Sequence, residues 1–103
     1  MEVSVESIMS LIINGGNARS AAMMAIKSAK QGKFDEADNY IEQAKESLNQ
    51  AHHSQTELLT LEAGGEKMEI SLLMIHAQDH LMNAITVKDM AIEFVDLYKE
   101  KGE

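Results

Sequence analysis

Apolar residues recur at every third or fourth position along most of the chain, the spacing that lines up one face of an α-helix. In the first segment Ile8, Leu11, Gly15, Ala18, Ala22, Ala25 and Ala29 form such a stripe, and its small residues predict a closely approaching partner. Gly15-Gly16 interrupts it; each glycine costs about 1 kcal/mol relative to alanine in a helix, so either the helix breaks there or something approaches its backbone. A second stripe runs through Phe34, Ala37, Ile41, Ala44, Leu48, Ala51, Gln55 and Leu58, with charged and amide residues outside it. Gln31-Gly32-Lys33 reads as the turn before it and Gly64-Gly65 as its stop. A third segment begins between Glu66 and Ser71 and runs to about Lys99, with Leu73, Ala77, His80, Ala84, Val87, Ala91, Phe94 and Tyr98 as its seam. A strand over Met68-Glu69-Ile70-Ser71-Leu72 would be short.

Helices of about 28–30 residues, joined by connections of about two to six, force antiparallel neighbours. The expected fold is all-α, an antiparallel up-down-up three-helix bundle forming a single domain over residues 1–103. Gly32-Lys33-Phe34-Asp35-Glu36-Ala37 resembles the turn of a tetratricopeptide repeat, but the second copy due near Glu66 does not match, so the repeat is rejected.

The third helix carries more apolar surface than two neighbours can cover. Beside its seam lie Leu72, Met74, Ile75, Leu81, Met82, Ile85, Met90, Ile92 and Val95. A helix apolar almost all round is buried on most sides, which predicts an oligomer of cyclic symmetry with this helix central. The alternative is a monomer with a groove for a partner helix.

Composition narrows the picture further. The absence of proline, with eight methionines and only Phe34, Tyr40, Phe94 and Tyr98 as aromatics, suits packed helices. A net charge of −8 repels phosphate backbones and anionic lipid, so nucleic acid and membrane are poor partners. Without cysteine there are no disulfides, thiolate metal sites or cysteine nucleophiles, in keeping with a reducing compartment. Glu2 and Glu6 stand where a signal peptide would carry lysines, and the apolar stretch near them stops at Asn14-Gly15-Gly16, so neither export nor membrane insertion is expected.

The candidate chemistry lies inside the apolar third helix, where His76-Ala77-Gln78-Asp79-His80 sets two imidazoles, a carboxylate and an amide within about one turn. Such groups are costly to bury unless paired or used. His76 and Asp79 share a polar line that Asn83 continues, facing a subunit boundary or an enclosed site. His76 and His80 have the spacing of two zinc ligands, but the glutamate that activates water in zinc peptidases is missing. A neutral imidazole can instead accept and release a phosphoryl group. The competing structural reading is a satisfied core histidine. His52 and His53 read as packing residues, at most one of them facing inward, and Arg19, the only arginine, as a surface ion pair or an anion contact.

Met74-Ile75-His76-Ala77-Gln78-Asp79-His80-Leu81-Met82 resembles the active-site helix of the lactose/cellobiose enzyme IIA family of the sugar phosphotransferase system. Supporting blocks occur in order: Gly16-Asn17-Ala18-Arg19-Ser20, Gly32-Lys33-Phe34, Ala51-His52-His53-Ser54-Gln55-Thr56-Glu57-Leu58, Lys88-Asp89 and Leu97-Tyr98-Lys99. The stretches around Gly15-Gly16 and Gly32 look closer to the cellobiose and diacetylchitobiose branch than to the lactose branch.

The resemblance implies a cytoplasmic homotrimer of three-helix subunits, a phosphotransferase component that carries phosphate from HPr to the cysteine of a cognate enzyme IIB during uptake of a β-disaccharide such as cellobiose. His76 matches the phosphorylated histidine, and Asp79 the acidic residue that binds a metal ion on the trimer axis, for which Mg²⁺ suits oxygen ligands. Gln78 and His80 are candidates for support, His80 more as packing than as chemistry. On this reading the first helix is continuous through Gly15-Gly16. The alternative function is a helical adaptor that keeps the fold and binds through its apolar surface.

Overall fold

A computed structural model describes residues 5–65, 67 and 70–102 of the chain. It is all-helical, with α1 at Val5–Lys30, α2 at Phe34–Ala63 and α3 at Leu72–Lys101. The whole is a rod of 55 × 19 × 17 Å. α1 packs along both of the others, whereas α2 and α3 touch each other much less.

The stripes expected on α1 and α2 are the faces that pack. Ile8, Leu11, Gly15, Ala18, Ala22, Ala25 and Ala29 are buried on α1, and Ala37, Ile41, Ala44, Leu48, Ala51 and Leu58 on α2. Most of these are alanine or glycine, so attraction comes from backbone brought close to backbone, with little side-chain entropy lost.

On α3 the seam is rotated from the expected one. Ala77, Leu81, Ala84, Ala91 and Val95 are buried, Leu81 completely, while Phe94 stays 42% exposed. The shallow Ala/Gly face of α1 takes the larger Leu81 at Gly15, Val95 is buried in the same core, and His80, Val87 and Tyr98 fall to the flank at intermediate burial. Of the surplus apolar set, Leu72, Ile75, Met82 and Met90 remain exposed on one face of α3.

α1 ends in a Schellman turn. Gly32 sits at φ 78°, Lys33 donates its N–H to the Ser28 carbonyl at 2.9 Å, and Gly32 to that of Ala29 at 3.0 Å. The Ser28 hydroxyl, buried beside the turn, donates to Glu36 at 2.9 Å, tying the end of α1 to the first turn of α2. That turn is acidic, with Asp35 and Glu36 facing the positive end of the helix dipole.

Among the described residues two side-chain links join α2 to α3. Lys99 Nζ donates to both Asp38 oxygens at 2.8 and 3.0 Å, and Gln55 Nε2 donates to Gln78 Oε1 at 2.6 Å. The hydrogen bond to Asp38 is the main reason the Lys99 ammonium is held above the ordinary lysine value. Its contribution is complete below that value and is lost only as pH rises through the raised one, so the pair is indifferent to pH near neutrality.

The connection from Gly64 to Ser71 is longer than the short link expected, because α3 begins only at Leu72. Met68 and Glu69 of the possible short strand lie outside the described residues; Ile70 and Ser71 are not in a strand and Leu72 is helical. Ser71 starts α3 as an N-cap, its Oγ accepting the Met74 N–H at 3.1 Å. Ser71→Ala should cost about 1 kcal/mol and lower the thermal midpoint by ~4–8 °C for a domain of this size, readable as a shift of the helical signal on heating.

Candidate functional site

The run from His76 to His80 lies on the second turn of α3, where about 100° of rotation per residue sends its members in different directions. Ala77 goes into the core, Gln78 and His80 are half-buried, and His76 and Asp79 face outward. The sequence-predicted site is therefore a ring of groups around one helix, each set by a different neighbour.

α1 sets His80. A Cβ on Gly15 would lie 3.3 Å from His80 Cδ2, and one on Gly16 would lie 3.2 Å from His80 Nε2. The imidazole thus rests on bare backbone, and α1 runs unbroken through both glycines. Of the two explanations open for Gly15-Gly16, close approach is the one realised.

His80 in turn supports His76. Their ring centroids are 5.8 Å apart with planes inclined by 25°, a stacked pair. Among the described residues this stack is the side-chain contact found for the His76 ring, and no hydrogen bond to either of its nitrogens is found. His76 is exposed, so a ring nitrogen can meet a reactant from outside the bundle.

α2 sets Gln78. Gln55 donates to its carbonyl oxygen, and its own amide nitrogen lies 4.0 Å from Met74 Sδ, a weak acceptor. Reading the sequence places Gln55 on the packed stripe but misses its link to Gln78; an amide standing in an otherwise apolar seam is the signal that could have pointed to it.

Asp79 is exposed and accepts from Asn83 Nδ2 at 3.3 Å, so the expected polar line is real. It runs through the uncovered apolar face, between Ile75 at 55% and Met82 at 53% exposure. Among the described residues no group of three or more His, Asp or Glu side chains could hold a metal within one chain. His76 and His80 lie ring against ring, which is not the convergence that two zinc ligands need.

The remaining candidates lie elsewhere. His52 is exposed and lines a cleft of about 240 Å³ between α2 and α3 with Lys45, Asn49 and Lys88. His53 is exposed, 3.8 Å from Glu57, so neither histidine faces the interior. Arg19 is exposed on α1.

Comparison with known proteins gives these positions a context. Residues 6–99 match the family described as the PTS system, Lactose/Cellobiose specific IIA subunit. The lichenan-specific phosphotransferase enzyme IIA component of Bacillus subtilis is 58% identical over 96 residues, 93% of this chain and 87% of that protein. The crystal structure of the PTS cellobiose-specific enzyme IIA from Bacillus anthracis superposes with a TM-score of 0.93 at 59% identity, covering 97% of this chain and 94% of that one. A solution structure of the IIA(chitobiose)–HPr complex of the N,N'-diacetylchitobiose branch of the Escherichia coli phosphotransferase system gives 0.82 at 42% identity, with 95% of each chain covered. Lichenan, cellobiose and chitobiose relatives together agree with the branch suggested by the glycine-containing stretches. The chain belongs to the lactose/cellobiose-specific IIA family and is a sugar-specific IIA component of the phosphotransferase system.

Proposed function

We propose that the chain is a phosphoryl carrier that accepts phosphate from phospho-HPr on His76 and passes it to the cysteine of a cognate enzyme IIB, serving uptake of a β-disaccharide such as cellobiose. The observation that carries the reading is the His76 imidazole, exposed and braced by its stack on His80. Phosphoryl transfer needs placement and charge stabilisation more than protein acids or bases, and an accessible, oriented lone pair meets the first need. In the first step the bond from phosphorus to the HPr donor atom breaks as a bond to a His76 ring nitrogen forms, and the electron pair stays with the donor. In the second a thiolate of enzyme IIB attacks the same phosphorus and the His76 lone pair is restored. The relative solved with HPr supports the donor assignment.

The proposal includes one IIA domain with its helices in up-down-up order. The Lys99–Asp38 pair links the end of α3 to the start of α2, and the Gln78–Gln55 pair links the start of α3 to the latter part of α2, as that order requires. Its setting is the cytoplasm; among the described residues no helix is long and apolar enough to cross a membrane.

The assembly is proposed as a homotrimer about the exposed stripe of Leu72, Ile75, Asp79, Met82 and Met90. One chain supplies one carboxylate here, so a cation would be held where Asp79 side chains of three copies meet. Carboxylate oxygens suit Mg²⁺, which when bound would neutralise charges that otherwise repel. Asp79→Ala should shift the trimer toward smaller or rearranged species in sedimentation, as should chelation of the parent protein. A trimer unchanged by both would overturn this assignment.

The carrier reading is tested by intact mass after incubation with phosphoenolpyruvate, enzyme I and HPr, kept cold and alkaline. The expected result is one phosphoryl group per chain, lost on brief acidification as a phosphohistidine would be. No gain would overturn it in favour of the adaptor.

A further inference from the structure

We infer that Gly15 and Gly16 of α1 are positioning residues for phosphoryl transfer, their bare backbone forming the seat that fixes His80 and, through the stack, the plane of His76. The inference rests on the carrier reading for its consequence in rate, but not for its geometry. Two adjacent glycines in the middle of a helix lower its stability, yet α1 continues through them. Both face the same imidazole, one beside Cδ2 and the other beside Nε2, at 3.3 and 3.2 Å from where a Cβ would stand. These are tighter than ordinary contacts, so any side chain at either position displaces the ring by a few tenths of an ångström. Gly15 also lies against the backbone of α3, a Cβ there reaching to 3.5 Å from Leu81 Cα, whereas Gly16 meets only His80. Gly16 is therefore the position at which seating can be perturbed with the helix packing left alone.

The displacement passes to His76, whose ring is 5.8 Å from that of His80, centroid to centroid. Reacting groups misplaced by about 1 Å can lose ~10²-fold in rate, so a shift of a few tenths should cost about tenfold. Gly16→Ala should thus lower kcat for transfer from phospho-HPr about tenfold and leave KM for HPr unchanged. Its thermal midpoint should stay level or rise, because alanine favours helix. A merely structural glycine would give a lower midpoint and an unaltered kcat. The ring proton resonances of His76 should move in Gly16→Ala, a readout that requires no transfer activity.

The double variant completes the test. In a His80→Ala background the added methyl has room, so Gly16→Ala should leave kcat where His80→Ala put it and should raise the midpoint. An unchanged kcat and unmoved His76 resonances in Gly16→Ala would overturn the inference, as would a double variant slower than His80→Ala alone. If Gly16→Ala alone fails to fold, the two His80→Ala proteins still decide. A parent chain that takes no phosphoryl group would remove the carrier reading, while the resonances would still report whether the seat orients His76.

Discussion

His76→Ala should take up no phosphoryl group from phosphoenolpyruvate, enzyme I and HPr, while its helical signal and thermal midpoint match those of the parent. The second half follows from exposure: His76 lies on the outside of α3, and surface substitutions away from caps and cores usually change stability by less than about 0.5 kcal/mol. The first half follows from how the other histidines are placed. His80 has Nε2 turned against the Gly16 backbone, and His52 and His53 are on α2 without a stacking partner to orient them. Exposure alone gives an imidazole access; among the described residues His76 combines access with a stacked neighbouring ring. Intact mass checks the outcome. Phosphorylation of His76→Ala at the parent rate would move the acceptor to another histidine, to be found by replacing His52, His53 and His80 in turn.

Leu81→Ala should be the most damaging single truncation in the core. Leu81 is fully buried, and its Cα lies close against α1 at Gly15. Around it the packed faces are largely alanine, which has no side chain long enough to collapse into the space left. Large-to-small changes at such positions cost ~2–5 kcal/mol, and the upper half of that range applies where the surroundings relax poorly. At ~4–8 °C per kcal/mol the midpoint should fall by more than about 14 °C. Leu59→Ala, at a leucine 55% exposed on α2, should stay within about 0.5 kcal/mol of the parent. Equal midpoints for Leu81→Ala and Leu59→Ala in thermal melts would show that the α1–α3 seam does not hold the bundle.

The contrast between these leucines also marks what the sequence revealed. The stripe of α2 is legible because a polar face fixes its phase, and that of α1 because alanine and glycine recur along it, although Met9, Ile13, Met23 and Met24 stay exposed on its other side. α3 is apolar almost all round, so periodicity locates the helix without saying which way it is turned, and Leu81 and Val95, beside the expected seam, are buried in the real one. At the site, the pairing of Asp79 with Asn83 can be read locally, since the two are one turn apart. The Gln55–Gln78 bond joins residues 23 apart and the glycine seat joins α1 to α3, relations that no single helical period contains.

The unequal packing of the three helices bears on how the chain comes off the ribosome. α1, the element on which both others lie, is translated before either, and its Schellman turn allows a hairpin with α2 to close locally. α3, which carries the exposed row of leucine, isoleucine and methionine, emerges last onto a surface already formed. That order shortens the interval in which a sticky strip is presented by a half-folded chain, when it would invite aggregation.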